Sequence, residues 1–193
     1  MTPHLIYLHG FLSSPQSFKA QQTLAYVKAH LPELPMHVPE LPNYPGQAAK
    51  LLDDLVSSLG NVPLRFIGSS MGGFLSTFLV ERFGGKAVLI NPAVRPFELL
   101  VDYLGPHVNP YTDKQFTLTE QHIDELRALD TPSLRKPDSY WALLQTEDET
   151  LDYRQAEQKY AGGKLTIEQG GDHSFVGYDR FLPQIFEFLL DSE

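Results

Sequence analysis

The 193-residue chain has no cysteine, which excludes disulfides, thiolate metal sites and a cysteine nucleophile. It also lacks any apolar run near the roughly 20 residues that a membrane-crossing helix requires, and no basic leader precedes an apolar stretch at the amino terminus. The expected address is therefore cytoplasmic, with no membrane partner. Positive charge is scarce: 15 Lys and Arg stand against 24 Asp and Glu, a formal net charge of −9. With no basic cluster to neutralise phosphates, nucleic acid is not an expected partner. Internal repeats and low-complexity tracts are missing too. An apolar fraction of 42% with 20% charged residues is that of a chain folded throughout, and the length suits a single domain spanning residues 1–193.

The stretch that organises the rest is Phe66-Ile67-Gly68-Ser69-Ser70-Met71-Gly72-Gly73. An apolar strand runs into G-x-S-x-G and then into Phe74, Leu75, Phe78 and Leu79 at helical spacing. Such a strand–turn–helix reversal holds its central serine at positive φ and crowds the positions two before and two after it, so both must be glycine. Gly68 and Gly72 flank Ser70 in that way, whereas Ser69 has Ile67 and Met71 at those places. The three-position pattern alone arises by chance in about one chain of this size in twenty; the strand before it and the helix after it give it weight.

Around this elbow, short apolar strands alternate with amphipathic helices. Leu5–Leu8 is a strand, residues 16–31 are helical with Phe18, Leu24, Val27 and Leu31 as an apolar face, and a short strand centres on 36–38. Pro45 opens a helix striped by Ala48, Leu51, Leu52, Leu55, Val56 and Leu59, which reads as core. After Gly84-Gly85 comes the strand 86–91. Strand 140–145, a helix over about 153–160, strand 164–168 and a closing helix complete the chain. This order predicts an α/β fold with a parallel sheet covered on both faces. His9, Ser70 and Asn91 then gather at the carboxyl ends of the strands, where ligands bind in such sheets. The alternation stops between Pro92 and Ser139, which predicts a small, partly helical lid inserted over about 95–138. In it Thr117-Leu118-Thr119-Glu120 has capping-box spacing. Leu100 and Tyr103 are candidates to line a substrate pocket above Ser70.

A serine hydroxyl needs a base, and the base needs an orienting group. His173 hangs in the glycine-rich loop after the last strand and Asp148 lies just past the strand before it, so the chain order is Ser, Asp, His. Asp148 is preferred over Glu147, Glu149 and Asp152 as a short carboxylate three residues beyond the strand. The other histidines sit on helices, in a broken strand, before a strand or in the lid, save His9, which belongs to the turn His9-Gly10-Phe11. The backbone N–H groups of Phe11 and Met71 are the expected oxyanion donors. No cofactor or metal is expected.

Leu5-Ile-Tyr-Leu-His-Gly-Phe, Gly68-Ser-Ser-Met-Gly-Gly-Phe, Gln145-Thr-Glu-Asp-Glu and Gly171-Asp-His-Ser-Phe resemble the matching segments of small bacterial α/β-hydrolases, most closely the YqiA-like esterases, over nearly the whole chain. The resemblance implies Ser70 as nucleophile, Asp148 as acid, His173 as base, and hydrolysis of small-molecule carboxylic esters, extending to acyl thioesters such as acyl-CoA. It also implies a reduced α/β-hydrolase sheet of about six strands, mostly or wholly parallel, because the first two strands of the eight-stranded fold are missing. Acyl transfer or peptide cleavage by the same three residues, and ligand binding without catalysis, are the alternatives.

Overall fold

The computed structural model describes residues 1–191. Six strands form one sheet: β1 (His4–Leu8), β2 (Met36–His37), β3 (Leu64–Ser69), β4 (Lys86–Ile90), β7 (Tyr140–Gln145) and β8 (Lys164–Glu168). Their order is β2-β1-β3-β4-β7-β8, and all five neighbouring pairs are parallel. Parallel strands covered on both faces are apolar along their whole length rather than alternating. Accordingly Leu5, Ile6, Tyr7 and Leu8 are all 0–1% exposed.

Alternate residues of each strand feed two separate cores. Ile6, Leu8, Phe66, Leu89, Ala142 and Leu144 pack with α2 (Pro45–Ser58), α3 (Met71–Phe83), α5 (Glu120–Ala128) and α6 (Tyr153–Lys159). Leu5, Tyr7, Ile67, Val88, Ile90, Trp141 and Leu143 pack with α1 (Phe18–His30) and α7 (Leu182–Leu190). The result is three layers, helices on each side of the sheet. After β1 the chain first steps outward to β2 and then returns to the other side of β1 for β3. The crevice at the carboxyl ends of β1 and β3 is thus a topological switch point, the usual ligand position in an open parallel sheet.

Two sequence-based expectations need correction here. Phe18 is not part of the inner face of α1: it is 77% exposed, while Ala20, Thr23 and Val27 are buried. It lies nine residues before Val27, about 180° around the helix at 3.6 residues per turn. The segment after β4 is partly helical, as expected, and also carries a hairpin that the sequence did not suggest. It contains α4 (Pro96–Leu99), a 3₁₀ turn (Leu100–Tyr103), α5, and a two-stranded antiparallel hairpin of β5 (Gly105–Val108) and β6 (Gln115–Leu118). Gln115 to Leu118 alternate exposed and buried, the period of a strand with one covered face. The capping residue of α5 is Thr119 rather than Thr117; its N–H donates to His122 Nδ1 at 2.9 Å.

The inserted segment docks on the first turn of α2 and the residue before it. Glu125 Oε2 accepts the Gly46 N–H at 3.0 Å, the Tyr44 ring stacks on His122 with centroids 4.4 Å apart, and Tyr44 Oη accepts the Thr117 N–H. Among the described residues, no helix is long and apolar enough to cross a membrane.

Candidate active site

Ser70 follows the last residue of β3 and caps α3 with φ 55° and ψ −117°. This turn tolerates only glycine on either side. A Cβ on Gly68 would lie 2.3 Å from Gly72 O, and one on Gly72 would lie 2.0 Å from Leu8 O. Backbone atoms cannot yield at such distances, so the crowding inferred from sequence is backbone contact, within the elbow itself at Gly68 and with the end of β1 at Gly72.

His173 Nε2 stands 3.0 Å from Ser70 Oγ, and His173 Nδ1 stands 2.9 Å from Asp148 Oδ2. The Asp148 side chain is 2% exposed and that of His173 24%. Asp148 Oδ1 accepts the N–H groups of Thr150 and Leu151, both at 2.9 Å, so the turn after β7 wraps the carboxylate and fixes its direction. An ionised carboxylate only accepts, so Nδ1 carries the imidazole proton and Nε2 is left as acceptor for the Ser70 hydroxyl. Of the neighbouring acids, Glu149 instead accepts the His173 backbone N–H at 2.9 Å, and Asp152 caps α6 by accepting from Arg154.

The β1 turn lies against the elbow: a Cβ on Gly10 would sit 3.4 Å from Ser70 Cβ. Neither the Phe11 nor the Met71 N–H has a protein acceptor among the described residues. Two free donors therefore lie on the two segments that flank Ser70. His9 is 3% exposed and spans the turn, with Nδ1 2.8 Å from Gly10 O and Nε2 accepting the Leu41 N–H at 2.9 Å. Because Nε2 accepts, Nδ1 is the protonated nitrogen and donates to Gly10 O. Burial lowers the pKa of His9 and outweighs the opposing pull of Gly10 O and Glu40, so the ring is held neutral.

Two residues hold the histidine loop: Asn91, which the sequence placed at the rim without a role, and Gln145, which it did not single out. Asn91 and Gln145 are each 2% exposed. Asn91 Nδ2 donates to Asp172 O and His173 O, and its Oδ1 accepts the Gln145 N–H. Gln145 Oε1 accepts the N–H groups of Asp172 and Val176, while Nε2 donates to Val176 O and Glu168. Each is the polar residue that closes an otherwise apolar strand run, and that is the signal the sequence carries for them. On the outer side, the Lys19 ammonium donates to Ser174 O at 2.8 Å.

A cavity of about 440 Å³, open mouth included, adjoins the site and is lined by Phe11, Leu41, Ala48, Met71, Leu75, Leu100 and Leu126 among others. Leu100 is thus on its wall. Tyr103 is not among its lining residues: it is 39% exposed and packs its ring edge-on against Phe11, centroids 6.5 Å apart, so the Phe11 side chain takes the cavity position. Ala48, read from sequence as core of α2, both packs in the core and lines the cavity.

The sequence model of one family, described as uncharacterised protein family UPF0227, matches residues 4–190. The chain belongs to UPF0227. This UPF0227 chain is also similar in structure to three solved proteins. Est1E from Butyrivibrio proteoclasticus matches with a TM-score of 0.72 at 12% identity, covering 98% of this chain and 87% of Est1E. A monoacylglycerol lipase from Paleococcus ferrophilus matches with a TM-score of 0.70 at 12% identity, covering 98% and 95%. Alpha/beta hydrolase domain-containing protein 10 from mouse matches with a TM-score of 0.67 at 17% identity, covering 97% and 89%. At these identities the likeness shows the fold: the UPF0227 chain has the α/β-hydrolase fold.

Proposed function

We propose that this chain is a serine hydrolase that cleaves carboxylic esters with an aliphatic acyl group, and acyl thioesters, through a covalent acyl-enzyme. The observation that carries the reading is the chain of contacts from Asp148 through His173 to Ser70, at 2.9 and 3.0 Å, beside two backbone N–H groups without acceptors and an apolar cavity. The names of the similar structures, a monoacylglycerol lipase among them, agree with a hydrolytic role.

The chemistry follows from the geometry. Ser70 Oγ attacks the carbonyl carbon while its proton passes to His173 Nε2, and Asp148 stabilises the imidazolium through Nδ1–H. The oxygen that gains charge is stabilised by Phe11 N–H and Met71 N–H at the start of α3, where the helix dipole adds a favourable field. One such donor typically contributes 10²–10³ in rate, about 2.7–4 kcal/mol. His173 then returns the proton to the departing alcohol or thiol. Water, activated by the same imidazole, attacks the acyl-enzyme and restores Ser70.

A series of 4-nitrophenyl esters and acyl-CoA thioesters differing only in chain length tests this. Each methylene buried in the cavity contributes up to about 0.8 kcal/mol, so kcat/KM climbs by up to about fourfold per carbon until the cavity is full. Leu100→Ala flattens that climb for longer chains more than it affects acetyl esters, and Ser70→Ala abolishes turnover. Turnover that persists in Ser70→Ala contradicts the proposal, and product analysis with added alcohols or amines separates hydrolysis from acyl transfer.

A further inference from the structure

The loop that carries His173 is held mainly by side chains. The carbonyls of Asp172 and His173 accept from Asn91 Nδ2, Glu149 accepts the His173 N–H, and Gln145 Oε1 accepts the N–H groups of Asp172 and Val176. Asn91, Gln145 and Glu149 all lie at or just past the ends of β4 and β7. One further clamp comes from the helix α1. Lys19, half-buried in its first turn, donates from Nζ to Ser174 O at 2.8 Å. One turn on, the buried Thr23 hydroxyl donates to Lys19 O and accepts from Tyr178 Oη at 2.7 Å. α1 therefore grips both ends of the stretch 174–178.

What Lys19 holds is a strained piece of chain. Phe175 has φ 64°, a conformation that a bulky L residue avoids. Turning over the peptide between Ser174 and Phe175 would return that φ to negative values. The same movement would swing Ser174 O away from α1 and break the bond from the Phe175 N–H to Asp172 O. The bond from Lys19 thus opposes a relaxation that begins one residue after the base. His173 Nε2 works at 3.0 Å from Ser70 Oγ, and a displacement near 1 Å costs about 10² in rate.

The strength of this clamp depends on charge, because a hydrogen bond from an ammonium is roughly twice as strong as one from a neutral donor. The histidine loop brings the Asp172 carboxylate, which attracts the ammonium, and His173. The 3₁₀ turn Tyr178–Phe181, packed on α1, brings Tyr178, Asp179 and Arg180. Burial pushes the Tyr178 phenol up and keeps it neutral, as it does Tyr7 on β1, and Arg180 is paired with Glu168. α7 meets α1 about two turns farther on, at Tyr26. Burial lowers the pKa of Lys19 and outweighs the pull of Asp172, so the ammonium gives up its proton below the usual lysine range.

We infer that Lys19 is a positioning residue for the base: its ammonium holds the histidine loop where His173 meets Ser70, and loss of its proton switches the site off reversibly at alkaline pH. This rests on the esterase reading above and adds to it a residue and a pH limit that Ser70, Asp148 and His173 do not supply.

Hydrolysis of the butanoyl 4-nitrophenyl ester from about pH 6 to pH 10.5 tests it. Circular dichroism at each pH and a return to pH 8 separate a reversible limb from unfolding. The wild type should lose kcat along an alkaline limb and regain it at pH 8. Asp172→Asn keeps the side-chain volume and removes the carboxylate that favours the ammonium, so the limb moves down by about half a pH unit or more. Lys19→Arg, whose guanidinium keeps its proton throughout, moves the limb up by about one unit or more. Lys19→Met lowers kcat by about 10–10² at every pH and has no such limb. Its KM stays nearly constant, because Lys19 holds the back of the loop and does not line the cavity. A Lys19 that only stabilised the fold would lower the thermal midpoint and leave the limb in place. An alkaline limb that Asp172→Asn does not move overturns the inference, whether or not Lys19→Arg folds. So does a wild type without an alkaline limb, a limb that coincides with unfolding, or a Lys19→Met protein with kcat within about twofold of wild type. A wild type inactive toward the ester at every pH refutes the esterase reading, and Lys19 then has no base to position.

Discussion

Asp148→Asn keeps the volume of the side chain and removes its charge. The amide oxygen can still accept from Thr150 and Leu151, as Oδ1 does at 2.9 Å, which leaves the NH₂ group facing His173 Nδ1. Two donors cannot meet there, so the imidazole proton moves to Nε2, where it faces Ser70 Oγ across 3.0 Å. In that tautomer the ring cannot accept the hydroxyl proton, and no charge stabilises the imidazolium. A loss on the order of 10⁴ in kcat follows, about 5.4 kcal/mol of transition-state stabilisation at about 1.36 kcal/mol per tenfold. KM should change little, because Asp148 is behind His173 and the substrate does not reach it. The thermal midpoint should stay near that of the wild type, since both turn hydrogen bonds survive. Asp152→Asn is the control: that carboxylate is 46% exposed and pairs with Arg154, so its loss weakens the start of α6 and leaves kcat near wild type. Steady-state kinetics on a short ester, with circular dichroism on both variants, decide the matter. The reasoning fails if the two variants rank the other way, or if Asp148→Asn retains kcat within about tenfold of wild type.

Asn91→Ala should lower kcat by about 10–10², the cost of a displacement near 1 Å, with KM nearly constant, because it frees the Asp172 and His173 carbonyls that Asn91 holds; an increase in KM alone would contradict a role in positioning His173. The folded-state pKa of His9 lies below its ordinary value because of burial. Its contribution to stability is therefore present above the usual histidine range and is lost as pH falls through about 6.5 toward the lower folded value. Urea midpoints measured from pH 8 to pH 5 should fall for the wild type and fall less steeply for His9→Gln, and equal slopes would show that His9 is not a source of the acid sensitivity.

The sheet was legible because parallel strands buried on both faces are continuous apolar runs, and Leu5–Leu8, Ala87–Ile90 and Tyr140–Leu144 stand out as such. Ser70 was legible because the elbow forces Gly68 and Gly72 against backbone atoms that no sequence change can remove. Asp148 was preferred as a short carboxylate three residues past β7; its Oδ2 stands 2.9 Å from His173 Nδ1, whereas the longer Glu149 reaches the His173 backbone N–H. The β5–β6 hairpin was not legible: its strands have four residues each, one of them contains Pro106, and the pairing is set by docking on Tyr44 and Phe11 rather than by local preference. Phe18 misled because apolar character alone does not say which side of a helix a residue takes. The cavity wall was hidden for a similar reason. Ala48 and Leu126 lie on different helices, and only tertiary packing brings them to one space next to Ser70.

Labelling with a fluorophosphonate, followed by peptide mass spectrometry, tests the central claim most directly. Only a serine with a base at hydrogen-bonding distance and oxyanion donors beside it is activated toward such a reagent. The expected result is one adduct per chain, on Ser70, lost in Ser70→Ala and formed far more slowly in His173→Ala. An adduct on Ser69, or none on a folded sample, would contradict it.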